Sequence, residues 1–274
     1  MGQSKGPVAG IASTSGGAQA ASEASSRLPR ARPPRAVVVG LLESPRGRAA
    51  DACPSDGAAV DAGTMLARGF RCSFESLHVP RLEDDSSPVE ERLLTLATER
   101  QDPLLVLGCR STSTPGRGIF PGRTTRGVLA ALSCPVWIQR GAWRPPGRVL
   151  AALSDFHADQ AVFDLALDIA ISLGASLDIV HCREHSIEGA RSMSASDLEV
   201  LADVARQRFA EERRPTSEVG ILNVAGPAKV ALAPYLERAD LTVLGRGSRR
   251  GIGHVLQDLL LFRTGPFVVV PDRG

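Results

Sequence analysis

Arginines and glycines carry the chemical interest of this 274-residue chain. From Pro103 to Ser154 there are seven arginines, Arg110, Arg117, Arg123, Arg126, Arg140, Arg144 and Arg148, and neither Asp nor Glu. A second cluster, Arg246, Arg249 and Arg250, lies just after Gly245, as the first begins just after Gly108. Positive charge at strand ends and helix starts focuses phosphate, and glycine lets backbone amides approach an anion. The same charge suits a solvated basic loop or a patch facing a partner, and the residues alone favour that plainer reading.

Other chemistries find less support. Gly116-Arg117-Gly118-Ile119-Phe120-Pro121-Gly122 has the look of a dinucleotide fingerprint, but it follows a fourth strand and Pro121 interrupts the spacing. His181, Cys182 and His185 are of metal-ligating type. Yet His78 takes the position equivalent to His181 with no ligand beside it, so the histidine belongs to the strand end and no metal site is assigned. Neither a Gly-x-Ser-x-Gly elbow nor a Walker loop occurs, and no nucleophile, base and acid can be assembled.

The elements that must position these loops occur twice. Asp102-Pro103-Leu104-Leu105-Val106-Leu107-Gly108 returns as Ala239-Asp240-Leu241-Thr242-Val243-Leu244-Gly245, each leading into a Gly, Ser and Arg loop. Around them Arg35–Gly40 is answered by Arg148–Leu153, Ser76–Val79 by Ile179–Cys182, and Ser133–Ile138 by Thr264–Val269. A recurring order of this kind indicates a tandem duplication.

In the second copy, apolar runs at Val149–Leu153, Leu177–His181, Val219–Val224, Leu241–Leu244 and Phe267–Val270 predict five strands. Val162 to Leu173 has helical spacing, with Gly174 at its C-terminal cap. Ser196 and Glu199 predict a capping box, and Gly226-Pro227 a helix with Pro in its first turn. The first copy has a similar start at Ser87-Pro88-Val89-Glu90. Only eight residues separate Val79 from Pro88, against 44 between Cys182 and Pro227, so one helix and one strand should be absent there. Strands alternating with helices give right-handed crossovers, a parallel sheet, and ligand sites at the strands' carboxyl ends.

A hydrophobic content of 43% with few aromatics suits cores of Val, Leu, Ala and Ile between covered strands. Residues 1 to 35 carry five basic groups and one acidic group, so the formal +2 of the chain hides a body at −2, which argues against nucleic-acid binding. The leader, residues 1–34, is too polar to bury itself and is expected to be disordered. It has no apolar run for a secretory signal or membrane span, and its overlap with the composition of a transit peptide yields to the plainer reading of a solvated tail. Five cysteines without a close pair fit a reducing cytoplasm, and Cys109 reads as a small buried thiol more readily than a reactive one.

Strand, polar turn, helix, a strand ending in His181, the Gly226-Pro227-Ala228 helix start, then Asp240-Leu241-Thr242-Val243-Leu244-Gly245 and the Cys134-Pro135-Val136 segment together resemble the universal stress protein family, in tandem form, over about residues 35 to 272. The resemblance implies an α/β fold of two tandem Rossmann-like (adenine nucleotide alpha hydrolase-like) parallel-sheet domains, the first reduced: residues 35–142, a linker at 143–147, and residues 148–274. Many members pair through their last strands, which here would bring Pro135–Gln139 and Pro266–Val270 together as an intramolecular pseudo-dimer.

Nucleotide-binding members carry Gly, two residues, Gly, nine residues, then Gly with Ser or Thr, and an Asp at the end of the first strand. In the first half Gly108 and Gly122 match, but Ser111 replaces the middle glycine, ten residues follow it, and Arg123 stands before Thr124 where Ser or Thr belongs. Leu41 or Leu42 holds the Asp position. In the second half Asp155 and Gly245 are kept, Ser248 replaces the middle glycine, and Gly253-His254 falls at the final position of a shortened loop. With Arg246 and Arg249 these are the candidate binding residues, and any ligand is expected against the second half. The implied function is a cytoplasmic stress-response and regulatory binding module with weak or lost binding of ATP or another adenine nucleotide. The alternative is a slow ATPase or another adenine-nucleotide enzyme of the same fold group, which a Lys or Asp in the Gly/Arg loops would favour; only Arg is found. No catalytic residue, nucleic acid or membrane is expected, while a homodimer and an unidentified protein partner stay open.

Overall fold

The computed structural model describes residues 32–42, 54–79, 88–109, 111–112, 120–121, 123–183, 193–247, 256 and 265–272. Nearly all the predicted leader, the latter part of the second Gly/Arg loop and the Ser87 helix start lie outside them. Eleven strands are described: β1 Ala36–Leu42, β2 Ser73–Val79, β3 Pro103–Gly108, β4 Ser111–Thr112, β5 Phe120–Pro121, β6 Val136–Gln139, β7 Arg148–Leu153, β8 Ser176–Arg183, β9 Val219–Ala225, β10 Leu241–Gly245 and β11 Phe267–Val270. Between them run α1 Pro54–Phe70, α2 Val89–Thr98, α3 Arg123–Ala130, α4 Gln160–Leu173, α5 Ala195–Glu211 and α6 Ala228–Arg238.

Among the described residues nine strands form one sheet in the order β2-β1-β3-β6-β11-β10-β7-β8-β9. Every neighbouring pair is parallel except β6 with β11, where Trp137 faces Val268 and Ile138 faces Phe267. The chain is thus mixed α/β with a mostly parallel sheet. Because the one antiparallel pair lies in the middle, the strands on its two sides run in opposite directions. Their carboxyl ends therefore open on opposite edges of the sheet.

Burial explains the strand composition. Leu104 to Leu107 in β3 are all buried, as are Leu241 to Leu244 in β10, because helices cover both faces. One core layer joins Val37 and Val39 of β1 to Val149 and Ala151 of β7 through Leu66 of α1 and Phe163, Ala166 and Ile169 of α4. Helices α1 and α4 meet closely: a Cβ on Gly69 would lie 2.8 Å from the Ser172 side chain. The second layer packs Leu93 of α2 and Leu129 of α3 under β3 and β6, and reaches Phe267 and Val269 of β11.

Helix ends refine the sequence reading. Gly174 closes α4 in the left-handed conformation at φ 73°. The capping box of α5 uses Ser194 and Asp197, not Ser196 and Glu199: Asp197 donates its amide to Ser194 Oγ at 3.1 Å and accepts the Ser194 amide at 2.8 Å. The serine two residues earlier wins because the helix then gains a further half turn before its apolar face begins at Leu198. Pro88 and Pro227 stand at the N-cap positions of α2 and α6 rather than inside the first turn. Between β2 and α2 the chain has no room for the crossover that α5 and β9 provide between β8 and α6. The two-stranded β4–β5 pair, with Ser111 opposite Pro121, is an addition the sequence pattern did not indicate.

Candidate functional site

Two strand-end crevices are formed, and they are far apart in kind and place. In the first, β1 ends in Leu41-Leu42 beside β3, which ends in Gly108. The Cys109 amide donates to the Gln139 carbonyl at 2.8 Å, turning the chain into β4, which begins at Ser111. Helix α3 then starts at Arg123, with Thr124 half-buried and Thr125 buried. Gly108, Ser111, Arg123 and Thr124 thus belong to one edge of the sheet, since α3 must run back to the start of β6, parallel to β3. Gly122 lies outside the described residues.

The second crevice lies on the opposite edge, between β7 and β10, where the strand order reverses. Such a switch point is where open α/β sheets receive ligands. Strand β7 ends in Leu153 and leads through Ser154-Asp155 into a tight turn before α4. Asp155 accepts the amides of His157 and Ala158 on Oδ1, each at 2.8 Å. Asp159, buried at 8% exposure, accepts the Ser154 amide, the Ser154 hydroxyl at 2.7 Å and the Asp155 amide at 2.9 Å. Across the crevice is Gly245, whose missing Cβ would lie 3.0 Å from Asp159 Oδ1. The structure therefore brings Asp155, Gly245 and Arg246 together and adds Ser154 and Asp159. Ser248, Arg249, Gly253 and His254 lie outside the described residues. Asp159 escaped the sequence reading; an acid four residues after Asp155 was the available sign.

The described arginines are less free than their number suggests. Arg246 directs its guanidinium at Asp272, 3.5 Å away, and its amide donates to the Val270 carbonyl; Nε is buried without a hydrogen-bond partner. Arg140, buried at the end of β6, lies over the Phe267 ring at 5.3 Å. Arg148 pairs with Asp178 at 3.3 Å. Arg126 and Arg144 are exposed. Beside the second crevice, Val270, Pro271 and Asp272 line a cleft of about 510 Å³ with Ala161 and Leu165 of α4 and Cys134 and Pro135 from the start of β6. Burial pushes the Cys134 thiol up to about 12, so it sits there as a neutral apolar group.

His181 is buried at the end of β8 with Nδ1 3.1 Å from the Leu153 carbonyl, which ties β8 to the mouth of the crevice. The Cys182 thiol donates to the Gly226 carbonyl at 3.1 Å. His185 lies outside the described residues, and among those described no three acidic, His or Cys side chains gather as a metal site. Cys109 is buried, and none of the described helices is long and apolar enough to cross a membrane.

Comparison with solved structures finds the same architecture. A universal stress protein from Archaeoglobus fulgidus DSM 4304 aligns with 88% of this chain over 99% of its own, at 16% identity and TM-score 0.58. A putative universal stress protein from Pseudomonas aeruginosa UCBPP-PA14 aligns with 87% of this chain over 93% of its own, at 19% identity and TM-score 0.52. These likenesses concern the fold. No curated protein sequence matches. The model of the universal stress protein family matches residues 146–258, so the segment from β7 through β10, which builds the second crevice, carries a domain of that family.

Proposed function

We propose that this chain is a tandem stress-response and regulatory binding module of the universal stress type, with residues 35–142 and 148–274 as unequal partners joined by a linker at 143–147. It acts in the cytoplasm by binding rather than by catalysis, and its adenine-nucleotide binding is weak or lost. One observation carries this reading: at the switch point of the matched region the cation that follows Gly245, Arg246, is paired with Asp272, while the donors at the end of β7 are taken up within the loop. Among the described residues, a phosphate entering there would meet few free partners. Among the described residues Cys72, Cys109, Cys134 and Cys182 are joined in no disulfide, which suits a reducing compartment.

The test is to heat the full chain with and without ATP. A ligand at 100 times its dissociation constant adds about 2.7 kcal/mol, roughly 5–10 °C for a protein of this size. The expected result at millimolar ATP is a shift well below that, with no phosphate release above background. A shift of that size, or turnover, overturns the reading.

A further inference from the structure

The crevice between β7 and β10 already contains an anion, supplied by the chain. Asp159 stands at the N-cap of α4 but makes no cap bond to that helix. Its carboxylate turns back instead, and Oδ2 gathers three donors, the Ser154 amide, the Ser154 hydroxyl and the Asp155 amide. A cluster of converging amide and hydroxyl donors at a strand end is what an anionic ligand would use. The other oxygen, Oδ1, reaches across to Gly245, 3.0 Å from the position a Cβ would take there. Gly245 is the point at which the β10 backbone could be approached most closely, and the carboxylate has approached it. Asp155 adds a second carboxylate at the same mouth, and Arg246, held by Asp272, does not turn to neutralise either.

We propose that Asp159 is a specificity-determining residue of this crevice, its carboxylate occupying the place of a ligand's phosphate so that phosphorylated ligands are rejected while an uncharged nucleoside is not. The proposal rests on the reading of the second half as a binding module and supplies the physical cause of its weak nucleotide binding. A second anion would have to share the three donors already bound to Oδ2 and lie against the Asp159 carboxylate, itself buried and so poorly screened from a like charge. An uncharged ligand meets no such opposition.

The experiment uses the full chain and two variants. Asp159→Asn keeps an acceptor for the loop donors and removes the charge; Asp159→Ala vacates the donors altogether. Calorimetric titration with ATP and with adenosine, and thermal shifts with inorganic phosphate, are the readouts. Expected is an ATP affinity raised about tenfold or more in Asp159→Asn, equivalent to about 1.4 kcal/mol, with adenosine affinity changed far less. Inorganic phosphate should stabilise Asp159→Ala and leave the natural chain unmoved. If Asp159→Ala does not fold, Asp159→Asn decides. Equal ATP affinity in the natural chain and a folded Asp159→Asn, absence of ATP binding in both included, overturns the proposal, as does an equal gain for ATP and adenosine. Tight ATP binding by the natural chain overturns the weak-binding reading alone, because the Asp159 assignment is decided by the ratio between variant and natural chain.

Discussion

The two sides of the β6–β11 junction start from the same strand plan and end differently. On one side, β8 is covered at its outer edge by β9, with α5 packed against β8 and β9. On the other, β2 is the last strand of the described sheet, and Phe74 on it is 42% exposed. The crevices differ in the same sense. Gly108 and Gly245 close equivalent strands, but the second is faced by the Ser154–Asp159 turn with its two carboxylates, and at the first strand end Leu41-Leu42 stand where Ser154-Asp155 do; residues 43–53, which follow them, lie outside the described residues. The strands on the two sides thus share one scaffold, because buried apolar runs tolerate few alternatives, while strand-end loops and edges differ.

The sharpest way to break this comparison is to separate the two sides. Residues 148–274 expressed alone would expose β11, whose Phe267 to Val270 are fully or almost fully buried against β6 and its surroundings. An unpaired apolar edge recruits another strand, so light scattering should find dimers or larger species. A monomeric fragment with unchanged stability contradicts a structural role for residues 35–142.

Within the intact chain, Trp137→Ala should have the next largest effect. Trp137 is fully buried in β6, donates Nε1 to Gln139 Oε1 at 3.0 Å and lies 6.0 Å from the Trp143 ring. Truncating a buried aromatic of this size costs about 3–5 kcal/mol. Urea unfolding followed by circular dichroism should show one transition displaced as a whole. Two transitions, only one of them displaced, would mean that the antiparallel pair does not couple the two sides.

Much of this scaffold could be read from the chain. Val149–Leu153, Leu241–Leu244 and Phe267–Val270 announce buried strands by apolar content alone, and Gly174 marks a left-handed helix end that favours glycine. The missing crossover follows from chain length between Val79 and Pro88. The site was less legible, since its decisive contacts are tertiary. Counting arginines gives a charge but not a partner: Arg246 finds Asp272 and Arg140 finds the Phe267 ring only after β11 is in place. Asp155 and Asp159 are equivalent as residue types, and only the position of Gly245 on β10 shows which carboxylate crosses the crevice. For α5 the spacing pointed to Ser196 and Glu199, and only the folded helix start shows that Ser194 and Asp197 form the box.

A smaller effect compares one strand position on the two sides. Thr242 of β10 takes the place that Leu105 has in β3, and both are fully buried. Thr242 Oγ1 has no hydrogen-bond partner. An unmet buried hydroxyl costs about 1–3 kcal/mol, so Thr242→Val, close in shape, should raise the urea midpoint by the lower part of that range. Leu105→Thr should do the opposite and lose more, because it adds an unmet hydroxyl and removes apolar volume. Destabilisation by Thr242→Val would show that the hydroxyl has a role the apolar register does not need.

The smallest expected effect concerns α5, which belongs to the second side only. Ser194→Ala removes the side chain that accepts the Asp197 amide, and loss of such a cap costs about 1 kcal/mol. The variant should also change how stability follows pH. The Ser194 hydroxyl, and then its backbone amide, hold the Asp197 carboxyl below the usual carboxylate range in the folded chain. A carboxyl depressed on folding stabilises fully above its unfolded value, about 3.9, and loses that contribution as pH falls through the folded value. Urea midpoints of the natural chain and Ser194→Ala should therefore differ most near neutrality, with the gap narrowing, though not closing, below about pH 4. Since Asp197 is largely solvated, the acid-dependent part should be a fraction of the cap's cost. A gap that is constant from pH 7 to pH 3 would assign the effect to helix propensity at position 194, leaving the reciprocal Ser194–Asp197 box without energetic weight.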